Sequence, residues 1–129
     1  MPQGSTTFHE SEERLSPRTR DMHRAIVSLM EELEAIDWYQ QRMDATEDGE
    51  LREILRHNRD EEKEHAAMVL EWIRRRDDGF AGVLKTYLFT EGDITALEDV
   101  VEKGAGNGAS AAATAGLRAS IGSLRGGRR

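Results

Sequence analysis

Two stretches of helical periodicity separated by a very short break constrain this chain more than any other feature. Met22, Ile26, Leu29, Leu33, Ile36 and Met43 recur at alternating spacings of three and four, with a skip at Gln40, which is the signature of one apolar stripe on a helix. Ser16 followed by Pro17 offers a hydroxyl cap and then the residue best tolerated in a first turn. The first helix is therefore predicted over residues 16–44. A second is predicted over 50–77, with Leu51, Leu55, Val69 and Trp72 on one stripe and Gly79 placed to end it. A connection as short as residues 45–49 (ATEDG) forces the pair antiparallel, as an αα-hairpin. Shorter helices are predicted over 80–88 and 93–103.

Such a hairpin cannot bury much by itself. Of the 129 residues, 33% are charged and only 37% hydrophobic, so the helices must share a core with another chain. The net charge of −7 argues against a nucleic-acid partner and suits cations. The absence of cysteine excludes disulfides, thiolate metal sites and cysteine nucleophiles. No apolar run approaches a membrane span, and residues 1–15 lack the apolar region of a signal peptide, so a cytoplasmic location and no membrane partner are expected. The chain reads as a flexible arm (1–15), a helical hairpin domain (16–92), an acidic segment running into a Gly/Ala-rich linker (93–119), and a short tail (120–129).

The polar residues inside the apolar stripes carry the chemistry. Glu32 lies three residues after Leu29 and four before Ile36, and Tyr39 continues that row. On the second helix the stripe runs Leu51, Leu55, Asn58, Glu62, His65, Val69, Trp72, with apolar residues on both sides of a polar centre. An isolated Glu-x-x-His in a charge run such as Asp60–His65 is commonly a solvated face. A mid-helix Glu on each of two antiparallel helices, one with a His a turn away, calls for a cation, because a buried unpaired carboxylate costs several kcal/mol. Two oxygen ligands and one imidazole suit iron or manganese better than structural zinc. Carboxylate-bridged di-iron bundles take one Glu from each of two helices and a Glu-x-x-His from each of the other two; this chain holds half of that set. The expected architecture is all-α: two long antiparallel helices plus a short C-terminal helix, forming a ferritin-like four-helix bundle completed by homodimerisation, with two metal ions at the interface.

The strings His23–Ser28, Glu31-Glu32-Leu33-Glu34-Ala35-Ile36-Asp37-Trp38-Tyr39, His57–Ala66, Leu70-Glu71-Trp72 and Thr86–Thr90 together resemble the encapsulated ferritins over roughly residues 20–92. The resemblance implies that Glu32, Glu62 and His65 are iron ligands, that Tyr39 stands beside the centre, and that Glu31 and Glu34 attract and pass incoming metal near Trp38. It implies a ferroxidase oxidising Fe(II) to Fe(III), two ions per dimer, in dimers arranged as a ring-shaped homodecamer. The tail string Ser120-Ile121-Gly122-Ser123-Leu124-Arg125 resembles the peptides that dock cargo on the inner wall of an encapsulin shell. Ile121 and Leu124 on a flexible tether, with Gly122 between, suit an apolar groove. The implied setting is an encapsulin nanocompartment in a bacterial or archaeal cytoplasm, used for iron storage and detoxification. Two alternatives use the same ligands: a non-catalytic metal-binding cargo protein, and a di-metal protein acting on peroxide.

Overall fold

The computed structural model describes residues 7–98. The chain divides into two units, residues 1–77 and 78–129, each taken by itself below. The described residues are helical and contain no strand, and among them no helix is long and apolar enough to cross a membrane.

The first unit is the predicted hairpin, built from α1 (Pro17–Ala45) and α2 (Gly49–Arg76). Ser16 caps α1 by accepting the Thr19 N–H at 3.0 Å, with Pro17 in the first turn. The connection is shorter than residues 45–49, because Asp48 is itself the cap of α2: its carboxylate accepts the N–H groups of Glu50 and Leu51 at 2.9 and 3.1 Å. Arg52 then ties the turn shut, donating from Nε to the Met43 carbonyl at 3.1 Å and from its terminal nitrogen to the Thr46 carbonyl. At the open end Arg18 donates to the Arg76 carbonyl. Gly79 does not terminate α2. The helix stops at Arg76, where the Asp77 N–H closes onto the Ile73 carbonyl at 3.0 Å.

The core of this unit is thin. Met43, Leu55, Ala66 and Ile73 are the buried apolar side chains among the described residues, Ile73 the deepest at 2% exposure. On α2 Leu55 is buried on the expected stripe, whereas Ala66 and Ile73 are buried beside it. Leu51, which heads that stripe, is 43% exposed. Ile26 and Leu33 on α1, and Ile54 and Met68 on α2, are also exposed. Helices of 29 and 28 residues are about 40 Å long at 1.5 Å per residue, and so much uncovered apolar surface is what a hairpin that shares its core should show.

Residues 7–15 have more local structure than their lack of periodicity suggests. A short 3-10 helix spans Glu12–Arg14. The Arg20 guanidinium donates twice to the Glu12 carbonyl, at 3.2 and 2.8 Å. The Phe8 ring lies 4.5 Å from that of His23.

In the second unit α3 covers Asp78–Tyr87, two residues earlier than predicted and with Gly79 inside it. Leu88 N–H closes the helix onto the Leu84 carbonyl at 2.8 Å. Phe89 follows in the left-handed region (φ 61). Asp93 caps a further turn by accepting from Thr95 N–H and Oγ1 at 3.0 and 2.8 Å. The rest of the helix predicted over 93–103 lies outside the described residues, as do the linker and the tail.

Candidate metal centre

Glu32 sits near the midpoint of α1, and Glu62 and His65 sit near that of α2. An antiparallel hairpin with a three-residue turn brings those midpoints face to face. One ligand atom of each residue lies within 4.8 Å of the others. His65 Nδ1 is 3.0 Å from Glu62 Oε1 and 3.8 Å from Glu32 Oε2. The side chains of Glu32 and Glu62 keep 25% and 21% of their exposure, whereas the His65 ring keeps 45%. The acids therefore lie within the seam and the imidazole marks its open side.

The electrostatics describe a site that wants a cation. The Glu32 carboxyl is pushed above its ordinary 4.5, first by burial, then by its hydrogen bond to Glu62 and by that residue's charge; nearby His65 offsets part of this. His65 is pushed above its ordinary 6.5, chiefly by its hydrogen bond to Glu62. Both shifts favour the protonated forms, and a metal ion of charge +2 would compete for the same atoms while relieving the repulsion between the carboxylates. The donor set, two carboxylates and one imidazole, fits iron or manganese. Three ligands fall short of a six-coordinate shell and leave it open on the His65 side.

The other candidates are not members of this cluster. Glu31 is exposed and adds to the upward push on Glu32 through its charge; neither it nor the half-buried Glu34 belongs to the ligand cluster. Tyr39 is seven residues from Glu32, about 10 Å along the helix axis. The Arg42 guanidinium lies 5.5 Å from its ring and 5.9 Å from that of Trp38. His57 pairs instead with Glu61, Nε2 to Oε2 at 3.2 Å. Ile121, Gly122, Ser123, Leu124 and Arg125 lie outside the described residues. Sequence reasoning missed Arg59, whose side chain is only 16% exposed and which donates to Gln40 Oε1 at 2.6 Å. The skip at Gln40 in an otherwise apolar row was its one visible trace.

The comparisons with known proteins agree with this geometry. The profile of the EncFtn-like family matches residues 7–91. The chain is 58% identical to the encapsulated ferritin-like protein of Rhodospirillum rubrum, over 98% of this chain and 93% of that one. It is 34% identical to the encapsulin nanocompartment cargo protein EncC of Myxococcus xanthus, over 97% and 99% of the two chains. A crystal structure of a protein from Nitrosomonas europaea, 63% identical, superposes with a TM-score of 0.66 over 67% of this chain and 96% of that one. A matched profile across the whole hairpin, together with these identities, means that the chain belongs to the EncFtn-like family of encapsulated ferritin-like proteins.

Proposed function

We propose that the protein is a ferroxidase, oxidising Fe(II) to Fe(III) at a di-iron centre formed where two chains meet. The observation that carries this reading is the cluster of Glu32, Glu62 and His65 at the middle of the seam, half-buried and open on one side. Two copies about a two-fold axis supply four carboxylates and two imidazoles. The four negative charges balance two ferrous ions, and four long helices complete a ferritin-like bundle. The thin core and the exposed Ile26, Leu33, Ile54 and Met68 support association of this kind.

Iron is the substrate. Glu32 and Glu62 hold and bridge the two ions, and their negative charge favours the ferric over the ferrous state; His65 completes each shell. Each Fe(II) gives up one electron. The pair reduces one dioxygen, which takes up two protons and leaves as hydrogen peroxide. Neither chain alone holds both ions, so an isolated chain is inactive. Tyr39 beside the centre, and Glu31 and Glu34 as acids that draw metal towards it, belong to the same proposal, with dimers joined in a ring-shaped decamer.

The printed names of the Rhodospirillum and Myxococcus relatives support an encapsulin shell as partner. The segment Ile121–Arg125 is the shell-targeting peptide of this proposal, which puts the enzyme inside the nanocompartment where the mineral is kept. Aerobic Fe(II) oxidation by the purified protein, followed by ferric absorbance beside Glu62→Ala, tests the chemistry. Rapid multiple turnover that collapses in the variant is expected. Background-level oxidation by assembled, metal-loaded wild type would overturn it and leave a non-catalytic metal-binding cargo protein. Co-expression with an encapsulin, with and without residues 120–129, tests the packaging: the truncated chain should stay outside the shell.

A further inference from the structure

One turn from Glu62, a polar network crosses the seam. Asp44 Oδ1 accepts from Gln40 Nε2 at 3.0 Å, which turns the amide oxygen of Gln40 towards α2, where it accepts from Arg59 at 2.6 Å. The remaining Arg59 nitrogens donate to Asp60 Oδ1 at 3.0 and 2.8 Å. Arg59 is thus held from both sides and is largely buried. Of the three arginines that tie the helices, Arg52 acts within the turn and Arg18 at the open end, and Arg59 is the one placed beside the ligands.

Buried polar groups add little net stability, and their best-attested use is to select one register. The four apolar residues buried among the described residues leave part of that task to polar pairs. A slip of α2 by one helical turn, about 5.4 Å, keeps the same face of α2 on α1 but sets Glu32 against Asn58 or Ala66 instead of Glu62. The short turn and the Arg52 clamp oppose such a slip from one end; beside the ligands it is the fixed donor-to-acceptor pairing of Arg59 with Gln40 that penalises it. We infer that the Arg59–Gln40 bridge is a positioning device for the metal centre: it fixes the axial register that superposes Glu32 on Glu62 and His65, and Arg59 touches no metal itself. This rests on the reading of the trio as a metal centre.

The test uses the full-length chain. Gln40→Leu/Arg59→Met removes both partners and leaves no orphaned donor, so its thermal midpoint should not fall. Register is read without metal, from paired nitroxide labels at Arg24→Cys and Ala67→Cys in a chain that has no cysteine of its own. Affinity is read with Co(II), whose visible spectrum also reports ligand geometry. A shifted or broadened label distance is expected, together with Co(II) binding weakened at least about 10-fold, the lower end of what disturbing the surroundings of a metal site costs, and an altered Co(II) spectrum. Arg59→Lys, which keeps the charge and reaches Gln40 but not Asp60 at the same time, should recover part of the affinity. Arg52→Met should lower the midpoint and leave Co(II) affinity intact. An unchanged label distance, or wild-type Co(II) binding in the double variant, overturns the positioning role while the metal centre stands. A wild type that fails to bind Co(II) overturns the metal centre itself, and the role of Arg59 with it.

Discussion

At the turn end of the hairpin, Met43 and Leu55 are only 5% and 9% exposed and Arg52 clamps the connection; at the open end Ile73 is only 2% exposed. Midway between, Glu32, Glu62 and His65 keep between a fifth and a half of their side-chain exposure, and the charge of Glu62 helps push the Glu32 carboxyl above its ordinary value. The ends hold the helices together. The middle sets two acids and a histidine beside a single buried apolar residue, Ala66, a setting that favours a cation. Stability and chemistry are thus allotted to different stretches of the same two helices, and substitutions in one should leave the other nearly untouched.

The sharpest break in that division is at the centre. His65→Ala should reduce metal affinity by more than the roughly 10- to 100-fold that a supporting partner costs, and abolish iron oxidation, while metal-free thermal unfolding stays near wild type. Titration calorimetry beside circular dichroism separates the two effects. The centre also gives opposite pH trends with and without metal. Glu32 and His65 both have folded-state values raised above 4.5 and 6.5, so their contribution to the metal-free protein is full below those values and is lost as pH rises through the raised ones. Metal binding needs both groups deprotonated and strengthens over the same interval. The melting midpoint of the metal-free protein should therefore fall with pH where that of the metal-loaded protein rises. Parallel trends would contradict the assignment of these two residues as ligands.

At the ends the effects reverse. Ile73→Ala should destabilise the fold by about 2–5 kcal/mol, the usual cost of truncating a buried aliphatic side chain, a large fraction of what so thin a core provides. Metal affinity of the molecules that remain folded should not change, and saturating metal should restore much of the midpoint by mass action. Smaller still, Asp48→Ala removes the cap of α2 and should cost about 0.5–2 kcal/mol in chemical denaturation, with iron oxidation unaltered. Loss of oxidation in a folded Asp48→Ala protein would show that the turn and the centre are coupled.

The two helices and the clustering of Glu32, Glu62 and His65 were legible because both depend on spacing alone: three-and-four periodicity places side chains on a face, and Glu-x-x-His is one turn of that same face. The buried line was legible in part. Met43 and Leu55 are buried on the predicted stripes, Ala66 and Ile73 are buried off them, and Leu51 is left exposed, because a stripe read from one helix takes in every apolar neighbour and an isolated hairpin covers only the narrowest part. Gly79 misled because glycine ends a helix only when the backbone needs a left-handed residue there; Asp77 ends α2 without one. The Arg59–Gln40 bridge escaped because the reach of a guanidinium across a seam has no counterpart in sequence spacing. The Phe8–His23 contact escaped because both partners lie off the periodic pattern.

The central claim is that the metal pair belongs to two chains together. Native mass spectrometry of the anaerobically Fe(II)-loaded protein tests it most directly. The account predicts species with an even number of chains that carry two irons per pair of chains, one per chain on average, and none retained by the isolated chain. Iron bound stoichiometrically to a single chain, or dimers that form without holding a pair, would contradict it.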